Sequence, residues 1–255
     1  MKLLAIAQNI FREAIRDKIL YNLLFFSLIM ILASGMLSTL TVGERNKIII
    51  DVGVGSINIF GLLISIFLGI SLVSKEISRR TIYTILSKPI RRWEFLLAKY
   101  IGLSLTLLLN TVVMSLVLSG TLRLVGEHFT MQIFIPIGMI YLECLVVMAV
   151  AMLFSTFTTA TLSAIFTIAI YVSGQFSSDL VGFSQNQKFS LANKKTMMFI
   201  YYTVPNLDYF NFKSYASNTI PIPFDQLGWS IAYGLIYILT LLGISMLVFQ
   251  RREFK

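Results

Sequence analysis

Residues 75–99 read KEISRRTIYTILSKPIRRWEFLLAK, a basic block carrying Tyr83 and Trp93 between two uncharged runs, 52–73 and 100–122. Each run supplies the roughly 20 apolar residues that a helix needs to cross a hydrocarbon core. The block collects Lys75, Arg79, Arg80, Lys88, Arg91, Arg92 and Lys99, so it is expected on the cytoplasmic side, where connecting segments concentrate Lys and Arg. Ile77, Thr81 and Ile85, with Ile82, Tyr83 and Leu86, recur at helical spacing. Glu76 stands four residues before Arg80, the favourable order for an ion pair along a helix. Pro89 disfavours helix at Lys88 and closes the element, and Trp93 marks headgroup level where the next run enters the bilayer. A short helix held at both ends, perpendicular to the spans, can pack into the groove of a soluble partner. The residues alone fit a positive-inside loop resting on lipid equally well.

Working outward, 56% of the 255 residues are hydrophobic and 13% are charged, against about 25% charged in a soluble domain. Too few charges remain to cover a globule, so the class is an all-α integral membrane protein. Uncharged length predicts spans at 20–40, 52–73, 100–122 and 226–250. Between 130 and 178 the one charge is Glu143, and STFTTAT at 155–161 is a polar break, which gives two more spans at 133–154 and 159–178. Six transmembrane helices place both termini on the same side. With the amino terminus inside, fourteen of the 21 Lys and Arg residues fall on inner segments, so both termini are expected in the cytoplasm of a multi-pass protein. Leu3, Ala7, Ile10, Phe11, Ala14 and Ile15 oppose Asn9, Arg12, Glu13, Arg16 and Asp17. That pattern predicts an amphipathic interfacial helix over 1–19, the alternative being an extension of the first span. Its scattered charges do not suit a cleavable signal. The 179–225 segment forms one long outer loop. Its apolar patch MMFIYYTVPNLDYFNF, 197–212, is too short to span and is expected as an interfacial or re-entrant helix broken at Pro205. Residues 1–255 read as a single transmembrane domain.

Several function classes drop out on inventory. The net charge of +9 sits beside apolar runs, which suits topology and anionic headgroups and not nucleic acid. Cys144 is the single cysteine and lies in an apolar run, so neither a disulfide framework nor a two-cysteine metal site is available. No G-x-x-x-x-G-K-[ST] phosphate loop occurs. The one histidine, His128 beside Glu127, lies at a span edge and reads as a headgroup contact. No catalytic or metal-ligating residue is assigned, and an intramembrane hydrolase has no histidine at depth. Glu143 is the one ionisable residue near the middle of a span, where a carboxylate costs a few kcal/mol unless it meets a partner or a wet cavity. It reads either as a group lining a path or as a buried hydrogen bond, with Asn58 or Asn110 as candidate partners. A stand-alone ion-coupled carrier or channel using Glu143 is therefore the alternative function.

The run 76–99, EISRRTIYTILSKPIRRWEFLLAK, resembles the cytoplasmic loop of ABC-2-type ABC transporter permeases. Glu76, Arg80-Thr81, Leu86-Ser87-Lys88-Pro89, Arg91 or Arg92, and Lys99 match its pattern. Arg80 and Ala98 stand where many members have Gly. The Arg80 form, and VPNL at 204–207 with Phe210, resemble the branch linked to copper-enzyme maturation. The resemblance covers essentially the whole chain and implies an ABC-2 (type V exporter-like) permease architecture in the cytoplasmic membrane of a prokaryote. It implies no cofactor on this chain, with ATP and Mg bound by two copies of a soluble ABC ATPase, and a second permease copy, a homodimer, enclosing the path within membrane lipids. It implies that 74–99 is a coupling loop, with Glu76, Arg79, Arg80, Thr81, Tyr83, Leu86, Lys88, Pro89 and Arg91 as the ATPase contact. The branches export drugs, peptides, polysaccharides and lipids or serve maturation, so cargo does not follow. Few strongly polar residues stand in the spans, which suits amphipathic or lipid-like cargo.

Overall fold

The computed structural model describes residues 2–39, 44–79, 92–126, 133–177, 204–217 and 223–251, without the side chains of 2, 71–79, 92 and 251. Every regular element among them is helical: α1 (Lys2–Ile15), α2 (Lys18–Ser38), α3 (Arg45–Arg79), α4 (Arg92–Val125), α5 (Phe134–Phe157), α6 (Ala160–Gln175), a 3₁₀ turn (Leu207–Phe210), α7 (Lys213–Ser217) and α8 (Phe224–Arg251). Five of these helices, α2, α3, α4, α5 and α8, are long and apolar enough to cross a membrane. The sixth expected span, 159–178, forms as α6, whose 16 residues rise about 24 Å.

Chain direction alternates from helix to helix. Arg79 of α3 and Arg92 of α4 therefore share one end of the bundle, called here the basic end, while the 204–217 segment and the start of α8 share the distal end. The core lies between α3 and α5, whose spanning windows are 67% buried against 28% in α2 and α8. Gly69 sets how near their backbones come, since a Cβ there would lie 2.6 Å from the Ala151 Cβ and 2.9 Å from the Met148 carbonyl oxygen. α4 joins through two tyrosines: Tyr100 Oη donates to the Leu145 carbonyl at 2.9 Å and Tyr141 Oη to the Ser104 carbonyl at 3.1 Å. α2 and α8 close the sides, with Phe25, Phe26, Leu235 and Leu239 facing outward.

The amino-terminal segment divides at Arg16–Asp17, where the Asp17 side chain accepts the Ile19 N–H at 3.1 Å and opens α2. α1 is thus a separate helix and not an extension of α2. Its apolar face is not all given to lipid, because Ala7, Ile10 and Ala14 are buried. They rest on α4 at Gly102, where a Cβ would fall 2.6 Å from the Ala7 carbonyl oxygen. The expected break at 155–161 falls at Thr158–Thr159. Thr158 donates its N–H and its Oγ1 to the Phe154 carbonyl, at 2.9 and 2.8 Å, and its Oγ1 pairs with Ser163 Oγ at 2.6 Å. These local bonds close the end of α5 and tie it to the first turn of α6 across the reversal.

No break marks residue 74. α3 continues through Arg79, since nothing in 71–79 is Gly or Pro, and its 35 residues rise about 52 Å against a hydrocarbon core of about 30 Å. Residues 75–79 thus continue α3, and the rest of the short helix expected up to Pro89 lies outside the described residues. Arg92 likewise opens α4, whose 34 residues rise about 51 Å.

Candidate functional site

Polar side chains inside the spans mostly serve their own helices. Ser27, Ser34, Ser38 and Ser65 donate to carbonyls three residues back, and Thr106, Thr111 and Thr121 to carbonyls four residues back. Such bonds remove the cost of burying a hydroxyl and by themselves point to no water path. Asn110 follows the same rule, its Nδ2 donating to the Thr106 carbonyl at 2.8 Å. Asn58 and Asn110 are both buried, and the Oδ1 atoms of both accept no hydrogen bond among the described residues.

Glu143 is 2% exposed on α5. Its partner is neither Asn58 nor Asn110 but Gln175, the last residue of α6, whose Nε2 donates to Glu143 Oε1. The reason is geometric: α6 packs on α5 and ends level with Glu143, so the terminal Gln175 amide turns inward to meet the carboxylate. The positive charge of Lys213 on α7 also acts on this carboxylate. Glu143 thereby ties α5 to the end of α6. Gln175 lies inside the span expected at 159–178, and a polar side chain near its end was the available signal. Lys213 carried no such signal, being far from Glu143 in sequence.

The distal end is capped by 204–217. Leu207, Phe210, Phe212 and Ala216 are buried there. The backbone reaches α6 at Gly174, where a Cβ would lie 2.5 Å from the Pro205 carbonyl oxygen and 2.9 Å from Leu207 Cγ. Asn206 Oδ1 accepts the Asp208 N–H at 3.2 Å, and the Asn206 N–H donates to Tyr233 Oη at 2.9 Å. Ser230 Oγ donates to the Tyr209 carbonyl at 2.7 Å. The expected helix broken at Pro205 extends into 197–203, outside the described residues. After Pro205 the chain forms the 3₁₀ turn and α7, and between this cap and α8 lies a cavity of about 580 Å³.

At the basic end, Glu76 and Arg79 stand on the last turns of α3. Arg80, Thr81, Tyr83, Leu86, Lys88, Pro89 and Arg91 lie outside the described residues, as do Glu127 and His128. Lys99 departs from its place in a basic loop, since it is 1% exposed on α4 with its Nζ 4.4 Å from the centre of the Phe95 ring. A buried ammonium over an aromatic face gains from the ring quadrupole, and counting charges along a loop does not reveal that burial.

Five helices long and apolar enough to cross a membrane define a helical multi-pass membrane protein. The chain belongs to the ABC-2 family of transporter proteins, described as "ABC-2 family transporter protein", whose family model matches residues 4–254. It is thus a membrane permease subunit of an ABC transporter. The match is to the family and does not separate its branches. No curated protein matches the chain.

Proposed function

We propose that this chain is the membrane half of an ATP-driven exporter, coupled at its basic end to a separate ATPase. The supporting observation is the family match over 4–254 together with two helices, α3 and α4, that outrun a bilayer toward the same basic block. Two such chains pair around the path as a homodimer, and two soluble ATPase copies bind ATP and Mg beneath them, leaving this chain without a cofactor. Glu76 to Arg91 form the coupling contact. The termini face the cytoplasm of a prokaryote, which makes the distal end the outer one. The carrier reading loses support because Glu143 is engaged by the Gln175 amide between packed helices.

Joint replacement Arg79→Glu and Arg80→Glu tests this in the complex with its ATPase, reconstituted in vesicles. The expected result is normal insertion, with ATP hydrolysis no longer accelerated by the permease and transport lost. Full transport by an unaltered complex would place the contact elsewhere, and transport by the permease alone would remove the exporter reading.

A further inference from the structure

The cavity at the distal end has a chemistry of its own. Its walls carry five aromatic side chains, Tyr209, Phe212, Tyr215, Trp229 and Tyr233, and Asp208 is the one charged residue among the described residues that line it. Its volume of about 580 Å³ is in the range of small-ligand sites. The rings are held in place and not merely gathered. Tyr209 and Tyr233 meet edge to face with centroids 5.3 Å apart, and Phe212 and Tyr215 stand 5.5 Å apart. The Asn206 N–H fixes the Tyr233 hydroxyl, Ser230 fixes the Tyr209 backbone, and Asn211 Nδ2 reaches Asp208 Oδ1 at 3.5 Å. Aromatic faces attract a cation and are strongest when water is excluded. A carboxylate in the same wall adds charge attraction and disfavours an anion.

The cavity adjoins an exposed apolar face of α8. Trp229 in its lining is 79% exposed, and Ile236 and Leu247, also exposed, fall on its face of α8, seven and eighteen residues on. A molecule with its cationic head among the rings can therefore lay an apolar tail along α8.

We propose that this cavity binds the ammonium head of an amphiphile, either a free alkylammonium compound or a lipid with an ammonium headgroup. The inference rests on the cavity alone and stands or falls apart from ATP coupling. The test uses the full chain in dodecyl maltoside micelles with Trp93→Phe, so that Trp229 is the sole fluorescent indole. Dodecyltrimethylammonium is expected to change Trp229 emission saturably. Asp208→Asn, which preserves shape, should weaken binding about tenfold, equivalent to about 1.4 kcal/mol, and Tyr209→Leu should weaken it similarly. Phosphatidylcholine added to the micelles competes if the site takes a lipid headgroup, whereas phosphatidylglycerol does not. No competition by either lipid assigns the site to free amphiphiles. Unchanged affinity in both variants, or an equal saturable response to dodecyl sulfate, would overturn the proposal.

Discussion

Gly174 offers the sharpest test of how the distal cap is seated. Replacing it with Ala puts a methyl 2.5 Å from the Pro205 carbonyl oxygen and 2.9 Å from Leu207 Cγ, where ordinary contact is 3.4–4 Å. The obstructing atom is backbone, tied through Asn206 to Tyr233, so it cannot swing away as a side-chain tip would. Overpacking of this kind costs about 1–3 kcal/mol. The same change also gains up to about 1 kcal/mol of helix propensity, which must be cancelled. Gly138 on α5 supplies the control, since it is helical and a Cβ there meets nothing within 4 Å. The gap between Gly174→Ala and Gly138→Ala should therefore carry the steric cost alone. At roughly 2–4 °C per kcal/mol for a chain of this size, it amounts to about 2–12 °C in Tm. Thermal unfolding of both variants in one detergent measures it. Equal melting temperatures would refute the close seating of Pro205 on α6.

Glu143→Gln retains a group that can accept from Gln175 and should melt close to the parent, whereas Glu143→Leu leaves the buried amide without its acceptor and should lose about 1–3 kcal/mol. Equal melting of these two variants would mean that the Gln175 contact contributes nothing. Gly102→Leu should push α1 off α4, because even a Cβ meets the Ala7 carbonyl at 2.6 Å. With Cys144 replaced by Ala, a thiol introduced as Ala14→Cys should then react with a water-soluble maleimide many times faster than in the Gly102 parent. An unchanged rate would show that α1 stays docked.

How much of this was legible in the sequence depends on the range of the interaction. Spans follow from uncharged length, a local property, so α2, α3, α4, α5 and α8 could be read directly, and the break at Thr158 announced itself through hydroxyls that bond to nearby carbonyls. Boundaries were less legible. Residues 74–79 are as charged as a loop, yet with no Gly or Pro to stop it α3 simply continues. The partner of Glu143 was hidden for a different reason. Asn58 and Asn110 look central when each span is read as an isolated rod of equal length, but only packing shows that α6 ends level with Glu143 and presents Gln175. The burial of Lys99 and the ring-lined cavity depend on contacts between segments distant in the chain, which no local pattern encodes.

The unbroken course of α3 has a mechanical consequence. Ten residues, about 15 Å of helix, separate its end at Arg79 from Gly69, where α3 and α5 touch backbone to backbone. With no hinge between these points, twist or thrust applied at the tip reaches the α3–α5 seam undiminished by a soft joint. Two glycines introduced between residues 71 and 76 would act as a universal joint, sparing the seam while disconnecting it from any load on the tip.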